Sequence, residues 1–238
     1  TSTGAGFGAA LAILCAASYF LITLSAFFFG LIAVLLAYLI SRKSRLDEAL
    51  SMVLAGMMIS SLFTAGTSFI KLVADASNQL PAITYWLMGS LTSVRGRDVL
   101  FAAAPILLGL VPLLLLRWRI NLLTLSDAEA RSMGVDTRRL RLIVIACATL
   151  MTAASVAISG MIGWVGLVIP HFCRILFGYD YRRLLPGCAL LGESFLMLVD
   201  TLARTLTTAE VPLGILTSFV GAPVFLYLIL TGGKNRAD

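Results

Sequence analysis

The sequence predicts an all-α fold, a polytopic transmembrane helical bundle of about eight spans, from three observations. First, 59% of the 238 residues are hydrophobic and only 13% are charged, where a soluble domain carries about 45–50% and roughly 25%. Second, the apolar residues come in runs of about 20, the length of helix that crosses ~30 Å of hydrocarbon. Third, the charges fall between those runs. A water-facing surface needs more charge than this to stay dispersed, whereas a bilayer accommodates the excess.

Taken in order, Thr1–Ile40 is free of charge and twice the length of one span, so it predicts two spans turning near Ser18–Thr23. A basic cluster, Ser41–Arg45, follows. Leu50–Ile70 predicts a third span and Val99–Leu116 a fourth, with the outer segment Asp75–Asp98 between them too short and polar to cross. Tyr85, Trp86 and Met88 in that segment suit an interfacial helix. A charged stretch, Arg117–Arg141, then separates the fourth span from a fifth, Leu142–Ser159. Ile162–Phe177, interrupted by Pro170, predicts a short sixth span, Leu184–Leu206 a seventh and Leu213–Thr231 an eighth. No repeat or soluble domain is visible, so residues 1–238 are expected to form one transmembrane domain containing the loop 117–141.

An even number of spans puts alternate loops on one side. That side gathers Arg42, Lys43 and Arg45; Arg117, Arg119, Arg131, Arg138, Arg139 and Arg141; Arg174, Arg182 and Arg183; and Lys234 and Arg236, fourteen of the eighteen basic residues. Lys71, Arg95, Arg97 and Arg204 fall on the other. The positive-inside rule assigns the rich side to the cytoplasm. A net charge of +6 sorted by alternate loops is topology, not a nucleic-acid face.

Several chemistries are excluded. No Gly-x4-Gly-Lys-Ser/Thr phosphate loop is present, and one histidine cannot supply a triad or a paired-His metal site, so no catalytic residue and no metal ligand is assigned. Cys15, Cys147, Cys173 and Cys188 stand singly in apolar runs and read as small core residues. The first 40 residues lack the positive n-region of a signal peptide.

Within the loop, Ser126 is a candidate N-cap, Asp127 and Glu129 favour a first helical turn, and Gly134 is a natural stop, with a second turn from Asp136. The loop reads either as a solvated connector or as a docking surface. In the third span Gly56, Ser60, Thr64, Thr67, Ser68 and Lys71 recur at three- and four-residue intervals, which serves either close helix packing or the lining of a pathway. Glu193, Met197, Asp200 and Arg204 share a face of the seventh span, where Asp200 and Arg204 are expected to pair. Glu193 is expected to hydrogen-bond a neighbouring helix while protonated. His171, beside Pro170, reads as a hydrogen-bonded structural residue. Gly160, Gly163, Gly166 and Pro170 are expected to permit a tight return, and Gly221 and Pro223 a similar distortion.

The run LLTLSDAEARSMGV at residues 122–135, the motif Gly163-Trp164-Val165-Gly166-Leu167-Val168-Ile169-Pro170-His171 and the motif Glu210-Val211-Pro212-Leu213-Gly214 resemble the FecCD family. That family comprises permease subunits of vitamin B12, haem and ferric-siderophore ATP-binding-cassette importers, and the likeness runs from Thr1 to Leu230. It implies ten spans, of which this sequence enters at the third, its opening Gly-rich stretch matching the family's. It also implies a homodimer with the pathway between two copies, two separate ATPase subunits, an extracytoplasmic substrate-binding protein, and residence in a prokaryotic inner membrane. ATP and Mg would belong to the ATPase, leaving no cofactor on this chain. The resemblance carries ATPase coupling onto Leu125, Asp127, Glu129, Ala130, Arg131 and Gly134, and pathway lining onto Gly56, Ser60, Thr64, Thr67 and Ser68. It carries binding-protein docking onto Arg204, and structural motif roles onto Gly163, Gly166, Pro170, His171, Pro212 and Gly214. The cargo it implies is a metal chelate or a related oxyanion such as molybdate. The alternative function is an ion-gradient transporter using Glu193 and Asp200, and a non-transporting scaffold or receptor is a third.

Overall fold

In a computed structural model, residues 1–44, 48–125, 127–206 and 210–232 are described, with the side chains of residues 48–49, 127–128 and 227–232 left aside. Among them lie ten α-helices and no strand. Arg45, Ser126, Lys234 and Arg236, which figured in the expectations above, lie outside the described residues.

The helices are α1 (Ser2–Leu14), α2 (Tyr19–Lys43), α3 (Glu48–Val73), α4 (Gln79–Met88), α5 (Gly96–Asn121), α6 (Asp127–Ser132), α7 (Thr137–Ser159), α8 (Val165–Phe177), α9 (Tyr181–Thr205) and α10 (Leu213–Gly232). A 3-10 turn, Leu122–Thr124, links α5 to the loop before α6. Five of them, α2, α3, α5, α7 and α9, have the length and apolarity to cross a membrane. α1 and α8 have 13 residues each, about 20 Å at ~1.5 Å per residue.

The expected elements recur with shifted ends. The first turn falls at Cys15–Ser18, earlier than Ser18–Thr23, because Tyr19 is already the first residue of α2. α5 runs to Asn121 and α7 starts at Thr137. Both helices therefore absorb charged residues that hydropathy alone gave to the loop. At these ends arginine costs little, because its stem can lie along the helix with the head in water.

The chain forms two compact units, Thr1–Leu110 with Ile145–Met161, and Val111–Val144 with Ile162–Asp238. In the first, α1 packs between α2 and α3 on small residues. A Cβ on Gly8 would lie 2.6 Å from the Ser25 carbonyl, and the Ser25 hydroxyl donates to the Gly8 carbonyl at 2.7 Å. Close backbone approach of this kind is how helices associate without a hydrophobic drive. Ala5, Ala9 and Ala26 are buried against Val156 and Ala157 of α7, and Phe29 packs edge to face on Phe7 and on Phe63, which meet each other tilted.

α4 is not only an interfacial helix. Its Ile83 is fully buried and Trp86 packs on the Ala5–Ala9 cluster, while Tyr85 and Met88 are exposed. Gln79 Nε2 donates to the carbonyl of Leu14 at 3.0 Å, satisfying an orphan group at the end of α1.

In the second unit α8 and α9 pack together around Ile169, Cys173 and Leu184, and α10, with Leu213 buried, contacts both helices. The four cysteines are free.

Candidate functional site

On α3 the small-residue stripe divides into two parts. Gly56 faces open space, with no atom within 4 Å of where a Cβ would stand. With Ser60 it lines a groove of about 630 Å³ that also takes in Thr1, Thr3, Met52 and Ser61. The Thr3 hydroxyl donates to Ser60 Oγ at 3.3 Å. Further along, Thr64, Thr67, Ser68 and Lys71 line a recess of about 150 Å³ with Thr3, Gly6, Leu87 and Met161. Thr67 and Ser68 return their hydroxyls to the carbonyls of Phe63 and Thr64, at 2.8 and 3.0 Å, so the wall is only weakly polar. Close packing on this helix falls to Gly66 instead, where a Cβ would meet the Phe7 ring at 2.7 Å. Ala55, Ile59 and Phe63 form the buried face. The groove thus borders the packed face of α3, and Ile59 belongs to both.

The polar loop is a built element. Ala130 is fully buried and anchors α6, while Leu125 is 42% and Met133 57% exposed. Glu129 and Arg131 are exposed beside them. Asp127 opens α6, and its side chain lies outside the described residues. Gly134, at φ +77°, closes the helix: its N–H reaches the Arg131 carbonyl at 2.9 Å and that of Val135 the Ala130 carbonyl at 3.2 Å. Only glycine takes this left-handed conformation without strain. The turn expected from Asp136 is the start of α7, with Asp136 accepting from the Arg139 N–H at 3.2 Å and pairing with its guanidinium at 3.1 Å.

Asp200 and Arg204 meet as expected, in a two-point pair at 2.8 and 3.3 Å. Glu193 does not follow expectation. It is exposed, and no partner for it is found among the described residues. His171 likewise has no hydrogen-bond partner among the described residues.

The tight return before α8 is made by Gly160, not by Gly163 or Gly166, which have open space around them. Gly160 has φ +69°; a Cβ there would strike the Trp86 carbonyl oxygen and lie 2.9 Å from Gly89 Cα. In the Gly163–His171 motif the left-handed residue is Trp164, at φ +67°. Its ring packs on Phe225, centroids 6.2 Å apart, in the room left by Gly221. Pro212 and Gly214 start α10: the Ile215 N–H bonds the Pro212 carbonyl at 3.1 Å, and Ser218 Oγ donates to the Gly214 carbonyl at 2.6 Å.

Sequence reasoning missed Asp180. It caps α9 by accepting the Arg182 N–H at 3.0 Å, and it accepts from Asn121 Nδ2 at 2.7 Å. These hydrogen bonds, the backbone one first, hold its carboxyl below the usual carboxylate range. The sequence signal was an Asp immediately before a new helical run. Among the described residues no group of three His, Cys, Asp or Glu is placed to hold a metal.

The FecCD transport family model matches residues 1–231. The chain belongs to the FecCD transport family. It is 41% identical to the molybdate import system permease protein MolB of Haemophilus influenzae, across 99% of this chain and 71% of that protein. It is 42% identical to a probable iron chelatin transport system permease protein of Helicobacter pylori, across 96% of this chain and 69% of that one. A solved structure described as an inward-facing conformation of a metal-chelate type ABC transporter superposes with a TM-score of 0.91 at 41% identity, covering 96% of this chain and 73% of the other. This FecCD-family chain is thus a helical permease, a transport subunit of the cytoplasmic membrane.

Proposed function

We propose that this chain is the permease of an ATP-driven importer whose cargo is a metal chelate or a related metal oxyanion. Two copies would enclose the pathway, each presenting the α3 face from Gly56 to Ser68. Two separate ATPase subunits would carry ATP and Mg, with no cofactor on this chain, and would engage Leu125, Asp127, Glu129, Ala130, Arg131 and Gly134. An extracytoplasmic binding protein would dock on Arg204, and the basic side of the chain, with α6, would face the cytoplasm.

The observation that carries the reading is α6. This six-residue helix is anchored by a fully buried alanine, stopped by a left-handed glycine and flanked by exposed Leu125 and Met133 beside charged residues. A mere solvated connector has no need of exposed large apolar groups, whereas a partner's cleft takes them up. A rigid short helix also passes on a displacement that a loose loop would absorb. The cargo class is supported by relatives named for molybdate and iron chelatin. A stripe of hydroxyls and glycines suits a hydrated complex better than a bare transition-metal ion, which wants imidazole or thiolate. The ion-gradient alternative loses support because Asp200 is engaged by Arg204.

The test is reconstitution in vesicles with the ATPase and the binding protein. Uptake is expected to need ATP hydrolysis, and Leu125→Glu with Arg131→Glu to abolish both ATPase capture and uptake. Uptake without nucleotide, lost on Glu193→Gln, would replace this reading with the ion-gradient one.

A further inference from the structure

We propose that the Asn121–Asp180 contact is a mechanical latch that delivers movement of the polar loop to α9, making Asn121 and Asp180 positioning residues for transport. The inference rests on the loop being the point where the ATPase pushes.

Asn121 is the last residue of α5 and the root of the loop. Its carbonyl accepts from Thr124 Oγ1 at 2.7 Å, which fixes the 3-10 turn leading toward α6. Both ends of its side-chain amide are used. Nδ2 donates to Asp180 Oδ1 at 2.7 Å, and Oδ1 accepts the Tyr181 N–H at 2.9 Å. The same Asp180 oxygen accepts the Arg182 N–H at 3.0 Å. Two side chains 59 residues apart therefore share the first turn of α9. A planar amide bonded at both ends cannot rotate without breaking one bond, so it behaves as a joint and not as a casual surface contact.

A second tie lies one turn earlier on α5. Arg117 Nη1 donates to the Arg182 carbonyl at 3.4 Å, and the Arg182 guanidinium sits over the Trp118 ring at 6.0 Å. The last turn of α5 and the first turn of α9 are thus joined through Arg117, Trp118 and Asn121 on one side and Asp180, Tyr181 and Arg182 on the other. α5 and α7 are attached to the loop covalently. α9 has no such attachment and meets the root of the loop through this non-covalent joint, with Asp200 and Arg204 toward its far end. A helix of 25 residues is ~37 Å long at ~1.5 Å per residue. Pro186 in its second turn leaves the Arg182 carbonyl without its usual helical donor, but Arg117 supplies one, so α9 carries movement along its length as one element. Displacement at Asp180 is then delivered to Arg204 as a tilt.

The test exploits a swap that preserves the bonding. Asn121→Asp sets two carboxylates face to face and breaks the joint. Adding Asp180→Asn restores it: the carboxylate now at position 121 accepts both the Tyr181 N–H and the amide now at position 180, whose oxygen is left to cap Arg182. Two quantities are measured: deuterium uptake at the Tyr181 and Arg182 amides with the chain alone in nanodiscs, and cargo delivered per ATP in vesicles with all partners. N121D is expected to speed exchange at both amides and to lower cargo per ATP about fivefold or more, with ATPase capture unchanged; N121D/D180N is expected to return both near wild type. Unchanged exchange in N121D overturns the latch, as does faster exchange with wild-type cargo per ATP, or a swap no better than N121D. Failure of the wild-type chain to capture the ATPase through α6 would instead overturn the coupling reading, and the exchange arm, which uses no ATPase, would still decide whether the joint exists.

Discussion

Asp200 grips Arg204 one turn further along α9, with Nε to Oδ2 at 2.8 Å and Nη2 to Oδ1 at 3.3 Å. The pair points the guanidinium while leaving 45% of its side chain accessible. A fork held in this way can receive an acidic group from a partner without first being ordered, which lowers the entropy cost of docking.

Arg204→Ala is accordingly expected to weaken capture of the binding protein about tenfold or more, with the dissociation rate carrying most of the change. Arg204→Lys should resemble the alanine variant more than wild type, since a point ammonium lacks the fork. Titrating binding protein onto the nanodisc-embedded permease measures both. Wild-type affinity in R204A would remove Arg204 from the docking surface.

Gly160→Ala is expected to destabilise the chain by a few kcal/mol, combining ~1–2 kcal/mol for a left-handed alanine with a collision at the Trp86 carbonyl. Gly163→Ala, which has open space around it, should change the unfolding temperature in detergent little. Equal shifts for the two would contradict the assignment of the tight return to Gly160.

Two α3 substitutions separate packing from lining. Gly66→Leu should lower thermal stability, because Phe7 occupies the space and overpacking costs about 1–3 kcal/mol. Gly56→Leu should leave stability near wild type but cut cargo flux, its side chain projecting into the 630 Å³ groove. Normal flux in G56L would take that groove off the pathway.

The pH dependence of stability carries a sign. Asp180 has a carboxyl held below its ordinary range in the folded chain, so its contribution is complete above the unfolded value of about 3.9 and is lost as pH falls below it. The stability difference between wild type and Asp180→Ala should be flat from neutral to mildly acidic pH and shrink below about pH 4. A difference that grew on acidification would reverse the assignment.

Much of this was legible in the sequence for one physical reason: a bilayer forces backbone groups to pair within helices, so hydropathy reads out helices directly. α2, α3, α5, α7 and α9 follow from that alone. Their ends do not, because Arg117, Arg119 and Arg138 continue helices that hydropathy stops. Gly134 was readable because a helix stop is a local backbone matter. Gly160 was readable as one of several glycines in a tight return but not as the one that makes it. Gly66 and the Asn121–Asp180 joint were not readable, since what singles each of the three out is an atom from a distant segment: the Trp86 carbonyl, the Phe7 ring, a carboxylate 59 residues away. Glu193 was legible as unusual, but the partner expected for it on a neighbouring helix is not among the described residues.

The hydrogen bond from Gln79 to the Leu14 carbonyl makes a side chain 65 positions later in the chain part of the end of α1. Unseating α4 would therefore strip a donor from that last turn, and fraying of α1 would start there and spread back along the helix.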